Sequence, residues 1–224
     1  MLADRPLPPD IVTGPAVFFG DDACLTVALL AGLRGTRPGR PLLIVDGANA
    51  FDPFLVADLA RKSRIAPQIL LDQIRISRVF TCHQLEALLR GRLRDAVARF
   101  HAAAVYFSGI LDPLLDEDVP TREAGRIFGL IPPVLRALAA SRVITLCACL
   151  QPLTMPGRER LFSSLCEMTP WVFEVIRPVD GSGSRPGRRR GTSDDSLQII
   201  CRKPQAMTWT WEPQIGLIAP RRWW

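Results

Sequence analysis

Lysine is almost absent from the 224-residue chain: of its 28 basic residues only Lys62 and Lys203 are lysines, and the others are arginines. Histidine is limited to His83 and His101, and tyrosine to Tyr106. Neither histidine has a nucleophile pattern near it, so no hydrolase triad is written here; His83 reads as a helix-start residue. No apolar run approaches the roughly 18 to 20 residues that cross a bilayer. The opening "MLADRPLPPD" lacks the basic-then-apolar order of a secretory signal. A soluble, cytoplasmic protein with no membrane partner is expected. The six cysteines, Cys24, Cys82, Cys147, Cys149, Cys166 and Cys201, form no CxxC pair and no Cys/His cluster with metal spacing. Reduced, buried thiols are expected, with Cys147 and Cys149 on one face of a strand.

What is present is apolar and basic. With 48% hydrophobic residues the chain can bury a real core in one domain. A net charge of +6 favours an acidic partner, nucleic acid first, although a GC-rich coding bias produces the same excess of arginine.

Strand-length apolar runs alternate with helical patterns. "AVFF" (16–19) precedes a helix over 22–33, "PLLIVD" (41–46) a helix over 52–61, and "QIRISRV" (73–79) a long helix over 83–100. "AAAVYF" (102–107) then leads to a helix over 121–140 and to "RVITLCACL" (142–150). Strands apolar on both faces, in β-α-β order, predict an α/β fold with a mostly parallel central sheet covered by helices on both faces. After residue 165 the pattern becomes strand upon strand, in "WVFEVIR", "SLQIICRK" and "MTWTWEP", which predicts antiparallel strands at one edge. The expected organisation is an N-terminal extension (1–13), one core domain (14–220) with a mobile Gly/Ser/Pro/Arg loop at 178–195, and a short tail (221–224).

In an open α/β sheet, ligands sit beyond the carboxyl ends of the strands, and "FFGDDACLT" is the first loop there. A phosphate loop, GxxxxGK[ST], needs glycines for amide convergence, a lysine for charge and a hydroxyl for magnesium. Setting Cys24-Leu25-Thr26 on its Gly-Lys-Thr end leaves only Thr26 matching, with Leu25 in place of the cation and Gly20 or Phe19 at the opening glycine. Asp21 and Asp22 add negative charge where a phosphate would sit.

The succession "LLIVDGANAFDPFLVADLARK" and "ILLDQIRISRVFTCHQLEALL", with Asp46, Phe51, Arg78 and Gln84 in order, resembles the RecA-like recombinase core, most closely its RadA-type branch and paralogues. "VYFSGILDPLL", "TREAGRIFGLIPPVLRALAASRVITLCACLQP" and "LQIICRKPQAMTWTWEPQIGLI" extend the likeness over residues 14–219. The resemblance implies a RecA-like three-layer fold. It also implies a degenerate member, because Ser108 stands where the family carries its magnesium-site acid and Ala48 where it carries the acid that polarises water. Phosphoryl transfer rests on positioning and on charge neutralisation by metal and cation, and lysine and both acids are missing together. By the same resemblance, the residues before Ile11 are too few for the helical N-terminal domain of many RadA-type proteins.

Other clusters read as follows. Asp112, Asp116, Glu117 and Asp118 precede a helix start, where acids cap and complement its dipole. "QPLTMPGRERLF", at the place of the family's second DNA-binding loop, makes Arg158 and Arg160 DNA-contact candidates, and Arg188, Arg189 and Arg190 in the mobile loop are three more. Trp209 and Trp211 alternate on one strand face and read as packing residues, and "RRWW" reads as a docking element or a frayed tail. The expectation is a non-catalytic paralogue acting in DNA recombination or repair by binding a recombinase or repair partner, DNA, or both. It would carry no metal and no cofactor and would be able to form homo- or hetero-oligomers. Two readings compete with it: an ATPase with an unconventional site in which Thr26, Asp46 and the 112–118 acids bind a metal, and a purely structural assembly subunit.

Overall fold

The computed structural model describes residues 14–150, 156–177, 197–204 and 206–211. The N-terminal extension, the 178–195 loop with Arg188 to Arg190, the tail, and the side chains of Trp209 and Trp211 lie outside the described residues.

Eight strands form one sheet in the order β3-β2-β4-β5-β1-β6-β7-β8. They are β1 (Ala16–Gly20), β2 (Leu42–Asp46), β3 (Ile74–Arg78), β4 (Ala104–Ser108), β5 (Ile144–Leu150), β6 (Trp171–Ile176), β7 (Leu197–Lys203) and β8 (Met207–Trp211). The first six are mutually parallel, and β7 and β8 are joined in antiparallel fashion at one edge. The α/β class expected from the sequence, a RecA-like three-layer fold, is the one found.

Side-chain alternation along each strand divides the apolar residues between two cores. Ala16, Phe18, Leu42, Ile44, Tyr106 and Leu146 face one side, packed under α1 (Ala23–Gly35), α2 (Pro53–Lys62) and the short α3 (Pro67–Leu71). Val17, Leu43, Val45, Phe107, Cys147 and Cys149 face the other, under α4 (Cys82–Ala87), α5 (Leu93–Phe100), α6 (Thr121–Phe128), α7 (Ile131–Ala140) and α8 (Arg160–Met168). Cys147 and Cys149 do share a face.

Two helices expected as single rods are divided. Residues 83–100 pass through a π-helical turn at Leu88–Arg92, where Gly91 leaves helical geometry (φ 175°). The 121–140 helix breaks at Gly129 and Leu130, since Pro132 and Pro133 have no N–H to continue the ladder and their rings collide with the carbonyls four residues earlier. Among the described residues no helix is long and apolar enough to cross a membrane.

Candidate functional site at the carboxyl edge of the sheet

Strand register brings the residues singled out in the sequence to one rim. Asp46 at the end of β2 stands opposite Arg78 of β3 on one side and Ser108 of β4 on the other, and Gly20 ends β1 between Leu150 and Val175.

The turn after β1 is the decisive element. Only Asp21 and Asp22 separate the last residue of β1 from the first of α1, whereas a phosphate loop places four residues between its two glycines alone. Gly20 has a φ of +111°, and a Cβ there would lie 2.4 Å from the Val175 carbonyl oxygen. The Asp21 N–H donates to that carbonyl at 2.8 Å, fastening the turn to β6. The first amides of α1 are already engaged. Ala23 N–H donates to the Asp21 carboxylate at 2.9 Å, Cys24 N–H to the Asp21 carbonyl at 2.8 Å, and Leu25 N–H to the Asp22 carbonyl at 3.2 Å. A phosphate would have to displace a carboxylate from this helix terminus.

Charge reinforces the closure. The Arg177 guanidinium, just past β6, donates to Asp21 at 3.1 Å and to Asp22 at 3.4 Å. This pairing holds the Asp21 carboxyl down at about 2. Asp22 is pushed up, first by its neighbour Asp21.

Of the positions set against the phosphate loop, Cys24, Leu25 and Thr26 lie in the first turns of α1 and Gly20 ends β1. Cys24 is buried, its thiol pushed up to about 12 by burial and directed at the Cys149 carbonyl at 3.6 Å. The Tyr106 hydroxyl donates to the Leu25 carbonyl at 3.0 Å. Burial also raises Cys147, to about 12, and Cys149. These are inert core thiols.

The remaining residues that the resemblance brings forward each perform structural work. The buried Asp46 carboxylate accepts from Ala50 and Phe51 N–H, both at 3.1 Å, and folds the 47–51 segment back over the strand end, with Arg78 at 4.0 Å. The Gly47 and Ala48 N–H groups donate to the Ser108 carbonyl at 2.7 and 3.0 Å. The Gln84 side chain accepts from Phe80 N–H at 2.7 Å while Thr81 Oγ1 accepts from Gln84 N–H at 3.2 Å, a reciprocal cap for α4 that also places His83 in its first turn. Burial raises the Asp112 carboxyl, and the Asp46 charge adds to that effect.

Arg158 requires a correction. The sequence points to it as a DNA contact, but it is 7% exposed, and its guanidinium donates to the carbonyls of Leu114 (2.7 Å), Asp116 (2.6 Å) and Val119. It stitches the acidic 111–120 segment to the start of α8. Nothing in the local sequence distinguishes it from Arg160, which is exposed at the first position of that helix.

Among the described residues, the one group of histidine and carboxylate ligand atoms lying within 4.8 Å of one another is His83, Glu86 and Glu123. Arg126 binds Glu86 at 2.6 and 2.7 Å and Glu123 at 2.7 Å, and Arg90 binds Glu86 at 2.7 Å. Arg126 holds Glu86 down at about 2. The two carboxylates are thus already neutralised by arginine, and the group acts as an ion-pair clasp between α4 and α6. The residues of the competing metal reading, Thr26, Asp46 and the 112–118 acids, are not part of it.

No protein-family profile and no curated protein matches the chain.

Proposed function

We propose that this protein is a non-catalytic RecA-like paralogue that serves DNA recombination or repair by binding, with a recombinase or another repair protein as its partner and nucleic acid as a second ligand. The observation that carries this reading is the turn after β1. Its amides are bonded within the chain and an aspartate pair occupies the phosphate position, clamped by Arg177. The loss of lysine, magnesium acid and catalytic acid at Leu25, Ser108 and Ala48 supports it from the sequence side.

The outer strand β3 supports the partner half. It pairs with β2 on one side, and its residues from Arg75 to Arg78 are exposed, with Ile76 43% exposed and the following Phe80 60% exposed. A strand edge with free backbone groups and apolar side chains is a surface that other chains use for docking.

The test is co-sedimentation of the purified chain with an active RecA-like recombinase from the same cell, with and without Ile76→Asp and Phe80→Asp. Association that the two substitutions weaken at least tenfold is expected. No association with any recombinase of that cell would remove the recombinase from the reading.

A further inference from the structure

The two ends of the parallel strands carry opposite charge. At the carboxyl ends of β2, β3 and β4 the outgoing segments 47–52, 79–81 and 109–120 contain Asp52, Asp112, Asp116, Glu117 and Asp118 and no basic residue, and Arg78, which ends β3, lies 4.0 Å from the Asp46 carboxylate. At the amino ends the segments leading into β2, β3, β4 and β5, residues 36–41, 72–73, 101–103 and 141–143, contain Arg37, Arg40, His101 and Arg142, with Asp72 the one carboxylate. Arg75, the second residue of β3, and Arg99, in the last turn of α5, join them.

Three of these arginines, Arg40, Arg75 and Arg99, converge on residues 100 and 101. Arg40 Nε donates to the His101 carbonyl at 3.3 Å. The guanidinium carbons of Arg75 and Arg99 lie 5.9 and 5.4 Å from the centroid of the same ring, Phe100. Arg75 is oriented by donating to the carbonyls of Asp72 (2.9 Å) and Ile74 (2.8 Å). Asp72 is itself engaged by the Gln68 side chain at 2.8 Å. Among the described residues Arg37, Arg40, Arg75, Arg99 and Arg142 take part in none of the ion pairs with carboxylates.

Complementing helix dipoles accounts for Arg99. It does not account for Arg40 or Arg75, and it does not account for backbone conformation. Three of the four non-glycine residues with positive φ among the described residues are Arg64 (57°), His101 (50°) and Arg142 (54°). Each lies just beyond a helix end, where glycine is favoured because it has no Cβ to strain. Arg64 and Arg142 thus hold arginine side chains at positions that glycine would occupy without strain.

We propose that the amino edge of the sheet, from β3 to β5, is a nucleic-acid surface on which Arg40, Arg75, Arg99 and Arg142 contact the phosphate backbone. It lies at the opposite end of the strands from the closed carboxyl edge. The inference rests on the nucleic-acid part of the function proposed above. Four neighbouring strands at about 4.8 Å spacing make a row about 14 Å long, long enough for the four arginines to meet successive phosphates of one nucleic-acid strand. Arginine suits the task, since its planar fork donates in pairs to phosphate oxygens. Contacts to phosphate carry no sequence information, so binding is independent of sequence.

Fluorescence anisotropy of the full chain with a labelled single strand of about 40 nucleotides, across a salt series, tests this. Binding should weaken with salt, with a log–log slope of about −3 for four phosphate contacts at about 0.7 each. The combined variant Arg40→Ala, Arg75→Ala, Arg99→Ala and Arg142→Gly should lose at least tenfold in affinity and most of that slope. Arg142→Gly alone should weaken binding severalfold and melt no lower than the wild type, because glycine is at home in its left-handed conformation. Arg122→Ala, at the carboxyl edge, is the charge-matched control for Arg142→Gly and should change nothing. Unchanged binding in the combined variant overturns the surface while leaving nucleic-acid binding itself standing. A wild-type chain that binds no DNA overturns both and leaves only the protein-partner part. Competition by polyglutamate as effective as that by unlabelled DNA would make this a surface for acidic protein instead, and would also overturn the proposal.

Discussion

Asp21 and Arg177 are 156 residues apart in the chain, and their contact closes the one turn where a phosphate would bind. Because Asp21 titrates below its ordinary 3.8, the pairing contributes stability at neutral pH that is lost as pH falls from about 4 through about 2. Arg177→Ala should therefore lower stability at pH 7 by under about 1 kcal/mol, the guanidinium being half exposed and screened. The difference from the wild type should shrink markedly by pH 2 and vanish below it, as read by urea denaturation at pH 7 and at the acid values. Arg158 behaves otherwise. It is buried on three carbonyls, so Arg158→Met should cost about 2–4 kcal/mol by removing its hydrogen bonds to them, with only Asp116 keeping a second donor among the described residues, Val119 N–H. A variant of unchanged stability that lost DNA affinity would restore Arg158 as a DNA contact. Neither partner was legible in the sequence, since periodicity reports which face of an element a residue occupies and not what a distant segment brings to it. For Arg158 the acceptors are carbonyls 39 to 44 positions away.

The elements themselves were far more legible. Alternating apolar residues in "LLIVD" and "AVYFS" not only mark strands but divide between the two cores as the pleat requires. The division of the 121–140 helix was also written there, in Pro132 and Pro133, although the apolar periodicity of the whole stretch runs through them. Short α3, with Pro67 in its first turn, has too few residues to show a period. At the candidate site both the missing lysine and the shortness of the turn could be read, since the pattern starts the helix at residue 22, one before its observed start at Ala23; what it could not show is that Asp21 bonds the first amide of α1 and that Arg177 closes over the aspartates. That length has a consequence for repair by mutation. Leu25→Lys places a cation within the first turn of a helix whose amides are already bonded, so it should restore no nucleotide binding, as followed by fluorescence of an ATP analogue with magnesium.

For the molecule as a whole, the parallel sheet separates two chemistries. Its carboxyl edge, where α/β proteins ordinarily bind ligands, is closed by internal hydrogen bonds and lined with acids. Its amino edge is basic, and on its outer strand β3 residues Arg75 to Arg78 are exposed. Composition alone gave the sign of the net charge and not this polarity, which arises because successive strands run the same way and deliver the ends of their connections to the same rim. The account stands on the carboxyl edge being scaffold. Titration of the wild-type chain with a fluorescent ATP analogue in the presence of magnesium addresses that most directly: no saturable signal through millimolar concentration is predicted, and saturation in the micromolar range would contradict it.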